Sequence, residues 1–360
     1  MKPFERLLRL SSLATRPKPP IGTTPSDVVF AENKWRLLRY RSSGVRHARP
    51  VLLVPSLINR HYVLDLLPGK SFAEWLVARG WDVYCIDWGT PGPEDRYVTF
   101  DDVCDGILRR AIRRARKTAD ADRVHLLGYC LGGTLTAIHA AVHHKRIASM
   151  CTLAAPVRFD APGLLEAWTR TPTFDVRALV RATGNVPWQL MQSAFHLLRP
   201  TLNLSKAVHV LDRAASEHGD FDEFLDGFVA LEAWGNDNVS FPGECYVRYI
   251  EELYQGDALR KGTFTLAGKP ARLENVECPL LVVSFEHDNI VPKEAATALV
   301  DLAGSKVKQH VHLPGGHVGA VVSRSASARL WPVIDRFFVA HDKKEEKKGP
   351  VRRVRRVAQT

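Results

Sequence analysis

The residue best placed for chemistry is Cys130, which lies within the motif Gly128-Tyr129-Cys130-Leu131-Gly132-Gly133. An apolar, strand-like run ends just before this motif, and an apolar helical pattern follows it. The combination is typical of a nucleophile elbow, in which a strand turns sharply into a helix and exposes a nucleophile, here with cysteine in the place of serine. The flanking glycines let the two backbones approach without Cβ clashes. Free amides at the helix start favour a thiolate, so the motif predicts a nucleophilic cysteine rather than a small core thiol.

Such a nucleophile needs a base and an acid that orients the base, and candidates for both follow later in the chain. Asp288 lies just after the apolar run 282–285, and His317 follows another strand-like run. The glycine pair at 315–316 forms a tight turn that can aim the imidazole of His317 back over a sheet. The order nucleophile, acid, histidine is that of the α/β-hydrolase enzymes. We therefore predict the catalytic triad Cys130, Asp288 and His317.

Other residues are weaker alternatives for these roles. Glu286 lies before the strand-end turn and Asp301 lies within a predicted helix, so neither is as well placed as Asp288. Three further histidines are expected on a loop or a strand surface, namely His287, His310 and His312. The remaining cysteines show neither a metal-binding spacing nor a disulfide pattern. We predict core thiols at Cys85, Cys151 and Cys278 and assign no role to Cys104 and Cys245.

Acyl chemistry at a cysteine also requires backbone amides that stabilise a developing oxyanion. The amide of Leu131 follows the nucleophile directly and is the first predicted donor. The second donor usually comes from the loop after an earlier strand. Residues 54–60 occupy that place, and the amide of Leu57 is the predicted donor there.

The scaffold must bring the ends of several strands together. Short apolar runs predict strands near 49–55, 81–88, 123–128, 148–155, 279–285 and 308–313. Helical patterns separate most of them, at 71–79, 100–119, 132–144, 293–302 and 325–340. Strands alternating with helices predict an α/β protein with a mostly parallel, doubly wound sheet, the α/β-hydrolase fold.

The predicted organisation divides the chain into four parts. Residues 36–160 and 273–341 form the α/β-hydrolase core, and residues 161–272, which have few strand signals, form a helical lid inserted into it. Residues 1–35 are an N-terminal extension, and residues 342–360 are a basic, flexible tail. Within the lid, four aromatic residues either shape a pocket or form its core: Trp168, Trp188, Phe195 and Trp234.

Composition limits the range of partners. Fifty Lys and Arg against 39 Asp and Glu give a net charge of +11, and the segment from Asp342 to Thr360, with eight Lys or Arg and three Asp or Glu, supplies +5 of it. The basic run 109–117 shares a predicted helix with an apolar side, which favours a solvated face over a nucleic-acid site. No apolar run approaches the roughly 20 residues that a bilayer crossing requires. The N-terminus has no secretory core, although its leucines predict a short amphipathic helix (Leu7, Leu8, Leu10 and Leu13). The sequence predicts a cytoplasmic protein without a transmembrane segment.

The motifs together resemble the catalytic subunit of a polyhydroxyalkanoate synthase, most closely the short, two-subunit class III type. The similarity covers roughly residues 50–338, and weaker similarity runs through Trp234-Gly235-Asn236-Asp237. It rests mainly on five stretches, Leu57-Ile58-Asn59-Arg60, 82–89, 128–133, 287–292 and 314–319.

This resemblance implies an acyltransferase that joins 3-hydroxyacyl groups from coenzyme A (CoA) thioesters into a polyester and releases CoA. Cys130 would carry the acyl group, His317 would take its proton, and Asp288 would either orient His317 or activate the attacking hydroxyl. No cofactor is implied, because the CoA thioester is the substrate. The resemblance also implies an oligomer, a second synthase subunit and a place at the polymer granule surface. Two alternatives stay open: a dienelactone-hydrolase-like or thioesterase cysteine hydrolase, and a non-enzymatic granule-binding protein.

Overall fold

A computed structural model describes Arg9, Ser11, Arg16, Pro17 and residues 19–198, 202–216 and 220–342. The predicted amphipathic helix at the N-terminus and the basic tail after Asp342 lie outside these residues. Within them, no helix has the length and apolarity needed to cross a membrane.

The strands, in chain order, are β1 (Ser26–Glu32), β2 (Trp35–Tyr40), β3 (Val51–Val54), β4 (Val83–Asp87), β5 (Val124–Tyr129), β6 (Ile147–Leu153), β7 (Thr265–Leu266), β8 (Lys269–Pro270), β9 (Leu280–Phe285) and β10 (Lys308–Leu313). Eight of them form one sheet in the order β1-β2-β4-β3-β5-β6-β9-β10. The pairs β1–β2 and β2–β4 are antiparallel, and all pairs from β4 to β10 are parallel. The short strands β7 and β8 form a separate hairpin.

The α-helices of the described chain are α1 (Phe72–Ala78), α2 (Arg109–Thr118), α3 (Leu131–His143), α4 (Leu164–Thr169), α5 (Val176–Thr183), α6 (Trp188–Leu197), α7 (Leu202–Ala215), α8 (Phe221–Gly235), α9 (Gly243–Arg248), α10 (Lys293–Leu302), α11 (Gly319–Val322), α12 (Arg324–Arg329) and α13 (Trp331–Ala340). A π-helical segment precedes α2 (Asp102–Leu108), and another follows α9 (Tyr249–Gln255).

The central strands are covered on both faces, as their continuous apolar sequences require. Every residue of β3, β4, β5, β6 and β9 is buried. One hydrophobic layer contains residues of α2, α3 and α10, and the layer on the opposite face contains residues of α1 and α13. The predicted doubly wound α/β fold is confirmed.

The sheet begins earlier than the sequence indicated. Strand β1 lies within the segment 1–35 that was predicted as an extension, yet it pairs with β2 along its length. Several of its residues are exposed, because it is an edge strand, and it therefore lacks the continuous apolar run of the central strands. The turn between the two strands contains Asn33, whose φ of 50° suits a tight reversal.

The chain between β6 and β9 is mostly helical. It contains α4 to α9, the second π-helical segment and the β7–β8 hairpin. It leaves the sheet at the carboxyl end of β6 and returns at β9, which is the neighbour of β6 in the sheet. This insertion therefore starts at the edge of the sheet where the predicted catalytic residues follow their strands.

Candidate active site

Cys130 lies at the junction of β5 and α3 in a backbone conformation that side chains rarely adopt. Its φ is 54° and its ψ is −129°, a strained geometry that a rigid surrounding structure must impose. The glycines around it are required by close backbone contacts. A Cβ on Gly128 would lie 2.4 Å from the Cα of Gly133, and a Cβ on Gly132 would lie 2.1 Å from the carbonyl oxygen of Val54. The sequence therefore forms a nucleophile elbow, with the cysteine side chain half-buried at its tip.

Asp288 and His317 meet beyond the ends of β9 and β10. Nδ1 of His317 lies 2.7 Å from Oδ2 of Asp288, and their side chains are 8% and 1% exposed. The other carboxylate oxygen, Oδ1, accepts hydrogen bonds from the amides of Ile290 (2.9 Å) and Val291 (2.8 Å). The position of the carboxylate is thus set by the backbone of the loop that follows β9.

Two further contacts place the imidazole of His317 beside the nucleophile. The hydroxyl of Tyr129 donates a hydrogen bond to the carbonyl oxygen of His317 over 3.2 Å, and the two rings lie 5.4 Å apart. Burial disfavours the charged imidazole, but the charges of Asp288 and Cys130 and hydrogen bonds to both raise the pKa of His317 to about 10. The raised pKa favours the imidazolium form, which can stabilise a thiolate on Cys130.

A cavity of about 570 Å³ opens above this group, a size suited to a small organic ligand. Cys130 and His317 lie in its wall, and apolar side chains cover much of the rest, namely Ile58, Tyr129, Phe195, Leu231, Trp234 and Ile290. Polar residues also line it, including Gln192, His196, Lys206, Glu232 and His287. Phe195 and Trp234 thus contribute to the pocket, whereas Trp168 and Trp188 do not line it.

The structure brings together the three residues of the predicted triad. The alternative acids are elsewhere: Glu286 is exposed, and Asp301 is an exposed residue of α10. Two of the alternative histidines contact a different partner, because His310 Nε2 and His312 Nδ1 lie 2.9 Å and 2.8 Å from the Ser284 hydroxyl. The third, His287, is exposed and lines the cavity.

The predicted oxyanion donors follow two neighbouring strands of the sheet, β5 and β3. Leu131 is the first residue of α3, and Leu57 follows β3, with exposed fractions of 1% and 5%. The side chains of Ile58 and Asn59, rather than that of Leu57, line the cavity. The role of the two backbone amides stays a prediction.

The other five cysteines are buried thiols with raised pKa values. The predicted core thiols Cys85, Cys151 and Cys278 lie in the hydrophobic core, and burial raises the pKa of each one. Cys104 and Cys245, which had no predicted role, are likewise buried with raised pKa values. Among the residues that the structure describes, no group of three or more potential ligands is arranged around a metal site.

Sequence reasoning missed one group beside the cavity. Arg60 and Asp237 lie 3.0 Å apart and join the loop after β3 to the end of α8. Both belong to stretches that carried the family resemblance, Leu57 to Arg60 and Trp234 to Asp237, but no role was assigned to them. The sequence did contain a signal for this contact, because two oppositely charged residues lie in two motifs that both carry the resemblance.

The sheet order, the elbow and the acid–histidine pair define a protein of the α/β-hydrolase fold. The family model described as "alpha/beta hydrolase fold" matches residues 49–322. A monoacylglycerol lipase of Palaeococcus ferrophilus superposes with a TM-score of 0.54 and 18% identity, covering 85% of this chain and 99% of that one. An esterase of Thermogutta terrifontis superposes with a TM-score of 0.53 and 17% identity, covering 89% and 100%. At these identities the solved structures support the fold alone.

Sequence relatives define the family within that fold. The model described as "Poly-beta-hydroxybutyrate polymerase (PhaC) N-terminus" matches residues 19–76. The chain is 34% identical over 321 residues to the poly(3-hydroxyalkanoate) polymerase subunit PhaC of Haloferax mediterranei, which covers 88% of this chain and 64% of that protein. It is 33% identical over 340 residues to the subunit of the same name from Allochromatium vinosum, which covers 93% and 92%. The chain belongs to the poly(3-hydroxyalkanoate) polymerase family. The predicted polymerase family and enzyme class are confirmed, and the class III type stays a prediction.

Proposed function

We propose that this chain polymerises 3-hydroxyacyl groups from CoA thioesters and holds each acyl group as a thioester on Cys130. Membership of the polymerase family supports the overall reaction. The observation that carries the assignment to Cys130 is its place on a strained elbow, in the wall of a cavity that it shares with His317. Asp288 completes the group through its 2.7 Å contact with His317.

In the loading step, the Cys130 thiolate attacks the carbonyl carbon of the acyl-CoA. The carbonyl oxygen becomes an oxyanion, which the amides of Leu131 and of the loop at Leu57 stabilise. The bond to the CoA sulfur then breaks, and that sulfur takes the proton of His317. The neutral imidazole that remains is a base ready for the second step.

In the elongation step, His317 takes the proton from the 3-hydroxyl of an incoming hydroxyacyl-CoA. The hydroxyl oxygen attacks the acyl carbon on Cys130, an ester forms, and the cysteine leaves as a thiolate. The product is a lengthened acyl-CoA, which Cys130 attacks in the next round. Loading exchanges one thioester for another with little loss of free energy, whereas ester formation from a thioester is downhill. Cysteine therefore suits this pair of reaction steps better than serine.

The contacts of Asp288 favour one of its two possible roles. Its Oδ1 is taken by two backbone amides and its Oδ2 by His317, and its side chain is 1% exposed. At 1% exposure the carboxylate has little surface left for a substrate hydroxyl to reach. We therefore assign Asp288 to orienting His317 and stabilising its positive charge.

The insertion 161–272 acts in this proposal as a lid. Helices α6 and α8 contribute Phe195, Leu231 and Trp234 to the cavity wall, so the lid supplies much of the apolar surface around Cys130. Water competes with the hydroxyl for the acyl-enzyme, and a lid that excludes water favours polymer over free acid.

The experiment is incubation with 3-hydroxybutyryl-CoA, following thiol release, turbidity and the mass of the protein. Wild-type protein is expected to release CoA, form insoluble polymer and gain acyl mass. Cys130→Ala should do none of these, and Cys130→Ser should retain acyl mass with little turnover, because its oxoester is more stable. Acyl mass on Cys130→Ala would overturn the assignment of the nucleophile. Free hydroxy acid as the sole product would support the hydrolase alternative, and no CoA release under any condition would support a non-enzymatic granule protein.

Partner and location extend the same proposal. The relatives are named polymerase subunits, which supports a second synthase subunit and an oligomeric enzyme, and an insoluble product would keep the enzyme at a granule surface. Adding a candidate subunit should shorten the lag in CoA release. Full activity of the isolated chain without a lag would contradict dependence on a partner.

A further inference from the structure

The loop that follows β3, residues 55–60, is held from the core on one side. The indole Nε1 of Trp88 donates to the carbonyl oxygen of Pro55 over 3.0 Å. The elbow approaches the same oxygen closely, since a Cβ on Gly132 would lie 2.5 Å from it. These contacts hold the start of the loop at Pro55 and leave the residues after it, Leu57 included, to other partners.

The second half of the loop is held by the insertion. The amide of Val239 donates to the carbonyl oxygen of Ile58 over 3.2 Å, and the indole Nε1 of Trp234 donates to that of Arg60 over 2.9 Å. Between them, Asn59 and Asn238 pair as an isolated antiparallel bridge and are also joined through their side-chain amides. The end of α8 and the residues after it therefore form a short strand-like seam with the loop.

The carboxylate of Asp237 adds two hydrogen bonds to this seam, one to Arg60 and one to Tyr62. Asp237 Oδ1 accepts from Arg60 Nε over 3.0 Å, and Asp237 Oδ2 accepts from the Tyr62 hydroxyl over 2.5 Å. A terminal nitrogen of Arg60 also donates to the Thr90 hydroxyl over 2.8 Å. We call Arg60, Tyr62, Thr90 and Asp237 the latch.

The exposure of the latch indicates what it does. The side chains of Arg60 and Asp237 are 25% and 44% exposed, and an ion pair at that exposure adds little to global stability. Its geometry, in contrast, fixes a loop that contributes Ile58 and Asn59 to the wall of the catalytic cavity. An effect on the position of the loop is therefore expected to exceed an effect on folding.

We propose that Asp237 is a positioning residue for acyl transfer. Through Arg60 and Tyr62 it holds the loop whose amide, at Leu57, stabilises the oxyanion opposite Cys130. The lid thus completes the catalytic site, because residues 58–60, which directly follow Leu57, are held by the end of α8 and the residues after it. The inference rests on the proposed acyl transfer at Cys130, although it does not depend on the identity of the acyl donor.

The test compares two reactions of Cys130 in Asp237→Ala. Acylation passes through an oxyanion, whereas alkylation by iodoacetamide displaces iodide and needs only the thiolate. We expect single-turnover acylation to fall about 10- to 100-fold, since a small misplacement of an oxyanion donor has effects of this order. Alkylation should stay within about twofold of wild type, because Cys130 and the neighbouring imidazole of His317 are left in place. Asp237→Asn keeps an acceptor for Arg60 and should recover part of the acylation rate.

The matched control is Glu251→Gln, which breaks another ion pair of the insertion. Glu251 and Arg177 are joined by two contacts of 2.6 Å, and neither residue lines the catalytic cavity. This variant should acylate at the wild-type rate. Thermal unfolding of each variant shows whether it is folded.

Acylation is measured with 3-hydroxybutyryl-CoA and with p-nitrophenyl butyrate. Slow acylation with unchanged alkylation in Asp237→Ala supports the latch. Equal losses in both reactions, or no loss in either, would overturn it, as would an equal loss in Glu251→Gln. If wild-type protein reacts with the ester but not with the CoA thioester, the proposed function fails, and the ester rates alone decide on the latch.

Discussion

Asp288 meets His317 through the one carboxylate oxygen that the backbone does not occupy. Oδ2 lies 2.7 Å from Nδ1 of the imidazole, while Oδ1 accepts two amides of the following loop. The loop therefore sets the direction of the carboxylate, and the carboxylate sets the direction of the imidazole. Four consequences of this arrangement and of the elbow beside it can be measured.

Asp288→Asn should lower kcat for CoA release by about 10³- to 10⁴-fold, the order seen when an orienting acid becomes an amide. The amide keeps the shape of the side chain but removes the charge that stabilises the imidazolium. Steady-state thiol release measures the effect. Glu286→Gln and Asp301→Asn change the two rejected acids, which are exposed, and should leave kcat unchanged. A large loss in either control, with activity retained in Asp288→Asn, would reassign the acid.

The contribution of His317 to stability should disappear in alkaline solution. Its pKa in the folded protein is raised to about 10 from an ordinary value near 6.5. A raised pKa stabilises the folded state fully below about pH 6.5, and this contribution is lost as the pH rises through about 10. Urea unfolding of wild type and His317→Gln should therefore show a difference in the free energy of unfolding that narrows between pH 7 and pH 10. A difference that stays constant or widens would mean that the imidazole is not held as a cation.

The central strands and the positions of the three candidate triad residues were predictable, because each depends on a local signal. Helix α10 matches its predicted bounds of 293–302, and Cys130, Asp288 and His317 each follow an apolar run. Strand β1 was not recognised, since an edge strand with exposed residues lacks that run. The contact between Arg60 and Asp237 joins residues 177 positions apart, and no local pattern reports which charges meet after folding. The fold class thus followed from the alternation of apolar runs and helical patterns, whereas the seam between lid and loop required the tertiary structure.

Native protein should expose one reactive thiol out of six. Cys130 is half-buried at the cavity, and the other five are buried. Burial also raises their pKa values, that of Cys278 to about 12, so they are neutral as well as inaccessible. Iodoacetamide at pH 7 followed by mass spectrometry should add one label to wild type and none to Cys130→Ala, while denatured wild type takes six. A second label on the native protein would show that a core thiol opens to solvent.

Gly132→Ala should damage both stability and catalysis. The new Cβ would lie 2.1 Å from the carbonyl oxygen of Val54 and 2.5 Å from that of Pro55, so α3 must move away from β3 and its loop. We expect the free energy of unfolding to fall by about 3 kcal/mol, since overpacking against rigid backbone exceeds the gain in helix propensity from alanine. Gly44→Ala is the control, because nothing lies within 4 Å of its Cβ position.

The losses of stability and of catalysis have the same cause, which is the close approach of the α3 backbone to the end of β3 and the loop after it. The elbow and the loop after β3 share the contact at Gly132, so a displacement there separates Cys130 from the amide expected to stabilise the oxyanion. Acylation by 3-hydroxybutyryl-CoA should therefore fall in Gly132→Ala even at temperatures where circular dichroism shows the variant to be folded. A folded Gly132→Ala protein with wild-type acylation would mean that the loop is not part of the oxyanion site, and the role assigned to the Leu57 amide would fail with it.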